Sequence, residues 1–379
     1  MNRTILTFLL AAGSILNAPA QAWRPAGDKL KTAWADEVDP ACPLPEYPRP
    51  TLVRPEWRNL NGLWDYAILP ADAPQPEHFD GKILVPYPVE SSLSGVQRRL
   101  TENEVLWYER RFTVPAGWRQ GALLLHFGAV DWEADIYLNG IRVGGHKGGY
   151  TAFSIDIAPY LTRGEQTLAV RVTDPTDRGT QPRGKQVTEA RTIWYTPVTG
   201  IWQTVWLEPV PESRIAALRT TPDIDTKSLT VEAVTVGVRP GDIVGVTLRD
   251  NGRTVATARA AAGEPLRLTL SDMKLWTPDT PVLYDLEATL LRGGKPVDRV
   301  GSYAAMRKNS TVRGKEGFLR LQLNDRECFQ FGPLDQGWWP DGLYTAPTDE
   351  ALVYDIVKTK ELGFNMIRKH VKVEPERWY

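Results

Sequence analysis

The chain is short of the residues that most often announce a reaction. Only two cysteines, Cys42 and Cys328, and four histidines occur in 379 residues. A disulfide framework needs more thiols at regular spacings, so two free thiols are expected even in an oxidising compartment. There is no HExxH, no CxxC and no G-x-S-x-G, and His126 sits inside the apolar "LLLHF". No metal cluster emerges from such a pattern, and no cofactor is expected. "GTQPRGKQ", Gly179 to Gln186, imitates a phosphate-binding loop but ends in Gln where Ser or Thr must hold magnesium, and Pro182 interrupts it. Charge of either sign is also in no excess: 45 basic against 46 acidic residues leave a net charge of -1. Nothing there would hold a nucleic acid or an anionic membrane.

Long apolar runs are missing except at the start. "MNRTILTFLLAAGSILNAPAQA" combines Arg3, an apolar run from Ile5 to Ala12 and the ending Ala20-Gln21-Ala22. The run is too short to span a bilayer, so it predicts a signal peptide over 1–22, cleaved after Ala22. A periplasmic or secreted protein with no membrane span is expected.

What the chain does have is tryptophan, proline and short strands. The 14 Trp suit either sandwich cores or sugar-binding surfaces, with cores the commoner use. After an extended segment over 23–43, residues 44–210 read as short strands between turns. "GLWDYAIL", "LWYERRFTVP", "ADIYLNGIRVG", "FSIDI" and "LAVRVTD" lie there, and Asn139-Gly140 is a hairpin turn. Many strands without amphipathic helices predict a β-sandwich of jelly-roll type. Residues 211–310 hold roughly seven further strands in about 100 residues, the rhythm of an immunoglobulin-like sandwich. Asn251-Gly252 and Gly293-Gly294 mark two of its turns, and Pro209 and Pro211 mark the joint.

Beyond 311 the period changes. "FLRLQLNDRECFQFG" reads as a hairpin turning at Asn324-Asp325, its second arm running apolar to Gly332. A loop from Pro333 to Pro347 follows, then a helix capped by Thr348 and stopped at Gly363, with Leu352, Ile356, Thr359 and Leu362 on one face. "FNMIR" reads as a second buried strand. Strand, helix, strand predicts a right-handed βαβ unit, which cannot bury its own faces. The chain therefore looks cut just after a third domain, 311–379, has begun.

In a barrel of such units the working face lies at the strands' C-terminal ends. The loop offers Asp335, Gln336, Trp338, Trp339, Asp341 and Tyr344, and the second strand ends in Arg368, Lys369 and His370. Carboxylates and amides to grip hydroxyls, with aromatic faces for C–H surfaces, suit a sugar ring. The alternative is a loop packed on the sandwiches with a Trp as its anchor.

The chain resembles glycoside hydrolase family 2, the β-galactosidase-, β-glucuronidase- and β-mannosidase-like enzymes. "RNLNGLWDYAI", "FGAVDWEADIYLNGIRVGGHKGGYTAFSIDI", "GIWQTVWLEPV", "LWTPDTPVLYDLEATLL" and "GFNMIRKH" carry the resemblance. It implies a sugar-binding jelly roll, an immunoglobulin-like sandwich and the start of a TIM (β/α)8 barrel. It further implies an exported retaining glycosidase acting on β-glycosides, whose acid/base and nucleophile glutamates have no match in the chain. Glu374 and Glu376, adjacent on one loop, are no substitutes for them. Asp174 in "RVTDPTD" matches the sandwich acid that reaches the active site in some members, and Arg368 and His370 match the Arg-and-His strand end. His370 comes one place early, and Gln336 stands where His is usual, so the sugar contacts differ from those of the well-known galactosidases. The expected partner is a carbohydrate; an oligomer is compatible with the pattern. A non-catalytic carbohydrate-binding protein and an adhesion scaffold are the rival readings.

Overall fold

The computed structural model describes residues 23–379, so the expected signal peptide over 1–22 lies outside the described residues. The described chain is mainly β. Its first sandwich packs two antiparallel sheets. One has four strands in the order Arg58–Asn59, Val205–Val210, Ala122–Phe127 and Phe153–Asp156. The other has six: Gly81–Val85, Gly62–Pro70, Glu104–Thr113, Glu165–Thr173, Glu133–Leu138 and Ile141–Lys147. Alternation decides what goes inside. In "EADIYL" every second residue is buried. Trp64, Leu106, Tyr108, Ile136 and Val170 from one sheet meet Leu123, Leu125, Phe127 and Leu207 from the other. In the long strand over 104–113 the stretch 105–109 is buried on both faces, with Val105 and Trp107 clustering on the outer face with Ala169 of the neighbouring strand.

Five of the fourteen tryptophans take the core role. Trp64, Trp202, Trp107, Trp206 and Trp339 are all buried. The hairpin turns form where the sequence places them. Asn139 and Gly140 both have positive φ, at 52° and 80°, and Asn251 and Gly252 repeat this at 48° and 80°. Gly tolerates that region freely and Asn more readily than most residues, which is why the strands reverse there.

The second sandwich has seven strands. Three pair as Arg214–Asp223, Ser228–Val236 and Leu266–Thr269, and four as Arg253–Ala261, Ile243–Asp250, Tyr284–Arg292 and Lys295–Ala304. A buried guanidinium ties the two sandwiches together. Arg54 donates to Asp298 Oδ2 at 2.7 Å and to the Ile215 carbonyl at 2.7 Å, and its Nη1 lies 3.5 Å from Glu208. Both cysteines are free.

The last seventy residues depart from expectation in three ways. The hairpin at Asn324-Asp325 forms, but its second arm is only Arg326–Glu327, and Asn309–Arg313 joins as an unexpected third strand. The first strand of the parallel pair is Leu334–Asp335, inside the segment read as a loop, and it pairs with Arg368–Lys369. The helix spans Asp349–Glu361 and is capped by the Thr348 hydroxyl as expected. Its buried residue, however, is Ala351, while Ile356 and Leu362 face solvent, and Phe364, Met366 and Ile367 are only half-buried. The reason is physical. With two strands there is no neighbouring strand or helix to cover "CFQF", "FNMI" or the outer helix face, so Phe329 and Phe331 stay exposed. No closed barrel exists among the described residues.

Candidate functional site

The end of the parallel pair is where chemistry-bearing side chains converge. The His370 N–H donates to the Asp335 carbonyl at 2.8 Å, which sets the two strand ends level. Beyond them runs a chain of alternating charges. Lys369 Nζ donates to Asp335 Oδ2 at 2.5 Å and to Glu374 Oε1 at 2.6 Å. Lys372 Nζ lies 3.0 Å from Glu374 Oε2, donates to the carbonyls of Gly337 and Tyr344 at 2.8 and 2.6 Å, and approaches the rings of Tyr344 and Trp202. Lys372 is buried, and burial lowers its pKa against the pull of Glu374. Three buried side-chain atoms at this end make no hydrogen bond: Gln336 Oε1, His370 Nδ1 and Glu374 Oε2, the last of which meets Lys372 only as an ion pair.

The first sandwich supplies the facing wall through the irregular stretch 174–199. Tyr195 stacks on Trp338 with centroids 4.1 Å apart, and Trp338 meets Tyr344 edge-on. Tyr344 shares a 2.9 Å hydrogen bond with Tyr150. Behind these rings three acids are sealed from solvent. Glu90 accepts from the Thr199 N–H, Asp174 from the Thr199 hydroxyl and the Thr176 N–H, and Asp131 from the Gln186 amide at 2.8 Å. Burial disfavours their charge. It pushes Glu90 up to about 8, and raises Asp131 and Asp174 above the usual carboxylate range. Gln186, the residue that spoils the phosphate-loop pattern, turns out to be a structural amide. It also accepts from the Val198 N–H at 2.6 Å.

Of the residues singled out by sequence, Asp335, Gln336, Trp338 and His370 come together at the strand ends. Tyr344 joins them as the contact to the sandwich. Trp339 and Asp341 go elsewhere. Trp339 packs edge-on to Trp34, and Asp341 accepts from the Thr32 N–H and hydroxyl, both at 2.7 Å, pinning the N-terminal segment. Arg368 is exposed, because its strand has a neighbour on one side only. Asp174 stands behind the Tyr150–Tyr344 pair with both oxygens engaged. Sequence reasoning missed Glu90, Asp131, Tyr195 and Lys372. The spacing of Lys372 and Glu374 carried a signal, since alternate residues of an extended segment share a side.

Matches to known families cover the two sandwiches. Residues 82–211 match the sugar-binding domain of glycosyl hydrolases family 2, and 213–307 match the family 2 domain that follows it. The chain belongs to glycoside hydrolase family 2. It is 30% identical over 292 residues to the β-galactosidase BoGH2A of Bacteroides ovatus, covering 71% of this chain and 32% of that protein. It is 26% identical over 266 residues to a β-glucuronidase of Paenibacillus borealis, covering 65% and 44%. Among solved structures, the Lactobacillus rhamnosus β-glucuronidase aligns with a TM-score of 0.73 at 24% identity, over 86% of this chain and 56% of that one. The Ruminococcus gnavus β-glucuronidase gives 0.72 at 20% identity, over 89% and 58%, which shows the shared fold. The chain spans about a third of the length of the curated relatives it matches.

The first sandwich and the strand-end segment share a buried cluster of Ala129, Val198, Trp202, Leu343 and Tyr344, and the Tyr195–Trp338 stack lies beside it where it can be tested alone. Tyr195→Ala removes the stack on Trp338 and should cost about 1 kcal/mol of docking. Trypsin should then cut faster after Arg191, which lies exposed in the same stretch. An unchanged cleavage rate would mean the stack does not hold the stretch down.

Proposed function

We propose that this chain forms the substrate wall of a retaining β-glycosidase that hydrolyses O-glycosyl bonds. The reading places the acid/base and nucleophile glutamates on further barrel strands, outside these 379 residues, and on it the residues 23–379 alone bind sugar weakly and do not turn over. Retention would require those two carboxyl groups to sit about 5–5.5 Å apart across the scissile bond. One observation carries the reading. Gln336 Oε1 and His370 Nδ1, one from each parallel strand end, are buried without a partner. Buried polar atoms are normally satisfied, so an orphan just past the end of each strand suits ligand hydroxyls. Trp338 supplies an aromatic face beside them. We further propose that the protein is exported after cleavage near Ala22; recovery of a mature N-terminus at Trp23 tests this.

The experiment is a nitrophenyl glycoside panel on the polypeptide carrying these residues together with the rest of its barrel. Hydrolysis of a β-galactoside or β-glucuronide with retained anomeric configuration is expected. Gln336→Ala and His370→Ala should each lower kcat/KM about ten- to a hundredfold, the effect of leaving a substrate hydroxyl unpaired. Equal kcat/KM in both variants and the wild type would remove the strand ends from the substrate site.

A further inference from the structure

The outer face of the four-stranded sheet carries a second constellation that glycoside cleavage does not use. His126 lies on the strand Ala122–Phe127, with Ser154 opposite it on the edge strand Phe153–Asp156 and Trp206 opposite it on Val205–Val210. Ser154 Oγ is 2.6 Å from His126 Nδ1, and His126 Nε2 is 3.2 Å from Glu208 Oε2. The imidazole stacks on Trp206 with centroids 4.6 Å apart. Ser154 is exposed while His126 and Glu208 are buried.

The acid behind the histidine is firmly ionised. Burial opposes its charge, but the hydrogen bond to His126 and the guanidinium groups of Arg49 and Arg54 bring Glu208 down to about 2. Arg49 donates to both of its oxygens, at 3.0 and 2.8 Å, and the Tyr47 hydroxyl donates at 2.9 Å. Burial in turn lowers the pKa of His126, keeping it neutral near pH 7. A neutral imidazole has one N–H, and the Glu208 carboxylate fixes it on Nε2. Nδ1 is therefore the acceptor, and the Ser154 hydroxyl donates to it. Nucleophile, base and orienting acid stand in series, the arrangement by which a serine is activated. Ser154 and His126 line a cleft of about 390 Å³ walled by Phe153, Trp206, Tyr150 and Trp202.

We propose that Ser154, His126 and Glu208 form an acyl-transfer site that hydrolyses carboxylic esters bearing a small aryl or alkyl group, independently of glycoside cleavage. Ser154 Oγ attacks the ester carbonyl carbon as its proton passes to His126 Nδ1. The C–O bond to the alcohol breaks, and the leaving oxygen takes that proton. Water then attacks the acyl-serine, again losing a proton to His126, and releases the acid while Ser154 regains its hydrogen. Gln203 lines the same cleft, and its side-chain amide is the donor assigned to the developing negative charge.

The test is a fluorophosphonate probe with adduct mapping by mass spectrometry, alongside hydrolysis of 4-nitrophenyl acetate and butyrate. An adduct on Ser154 is expected, absent in Ser154→Ala, with ester hydrolysis reduced about a hundredfold. His126→Gln should lose the same rate while retaining the serine. Because Ser154 is exposed, its alanine variant should keep the wild-type amide exchange across the strands Ala122–Phe127 and Phe153–Asp156, which separates lost chemistry from lost folding. No adduct on Ser154, or equal hydrolysis by wild type and Ser154→Ala, would reduce the series to a cross-strand hydrogen bond. Glycosidase assays do not enter this readout.

Discussion

Replacing Lys372 by methionine should loosen the strand-end segment from the first sandwich by about 3–5 kcal/mol, the cost of stranding a buried charge partner. Methionine matches the length of the lysine stem and fills its space, so the loss is of the ammonium alone. That ammonium serves Glu374 and the carbonyls of Gly337 and Tyr344 at once. Without it, Glu374 keeps only Lys369, and two carbonyls lose their donor inside a packed joint. Removing both members of the pair, Lys372→Met with Glu374→Leu, should recover part of the loss, because the uncompensated carboxylate goes too. A chain of several domains departs from two-state unfolding, so a single melting temperature is the wrong readout. Hydrogen exchange at the Arg368 and His370 amides, which donate across the parallel pair, reports the joint directly. Exchange rates within tenfold of wild type in Lys372→Met would show that the network does not hold the segment.

How much of this was legible in sequence depended on how far apart the partners lie. The hairpins at Asn139-Gly140 and Asn251-Gly252 were readable because two adjacent residues decide them. The sandwiches were readable because alternation is a local pattern that only one burial satisfies. The strand ends were half readable. Asp335, Gln336, Trp338 and His370 follow from where a parallel strand must stop, although the first strand was placed several residues too early. Asp341 and Trp339, on the same loop with the same residue types, went to structural work. Their partners Thr32 and Trp34 lie some three hundred residues away, and no local rule connects them. Glu90 was invisible for the same reason, since its acceptor role depends on Thr199, 109 positions later. The helix face was misread in a more instructive way. Its apolar spacing is real, but spacing states what a helix could bury, and burial needs a neighbour.

The stability of the first sandwich should fall as pH rises from about 4.5 to about 8, and Glu90 should account for much of the fall. In the folded protein burial, joined by the nearby charge of Asp174, lifts Glu90 to about 8 from its ordinary 4.5, against hydrogen bonds from Thr199 that favour the carboxylate. Between those two values the folded state keeps a proton that the unfolded chain has released. The contribution is therefore complete below about pH 4.5 and is lost progressively until the folded group itself ionises. At about 1.4 kcal/mol per pH unit, the window amounts to about 4–5 kcal/mol for this one residue. Asp131 and Asp174 are shifted in the same direction and steepen the fall. Glu208 works the other way at lower pH. Its folded value of about 2 means that its stabilisation, present above 4.5, is lost as pH drops. His126, whose pKa burial lowers, also adds stability as pH rises toward its ordinary 6.5, and so offsets part of the Glu90 slope. Glu90→Gln keeps an acceptor for the Thr199 N–H and removes the titration, so its urea midpoint should change less between pH 5 and 8 than the wild type's. Parallel profiles for the two proteins across that range would mean that Glu90 is already ionised in the fold, and that the sealed acids hold their charge through contacts other than those with Thr199.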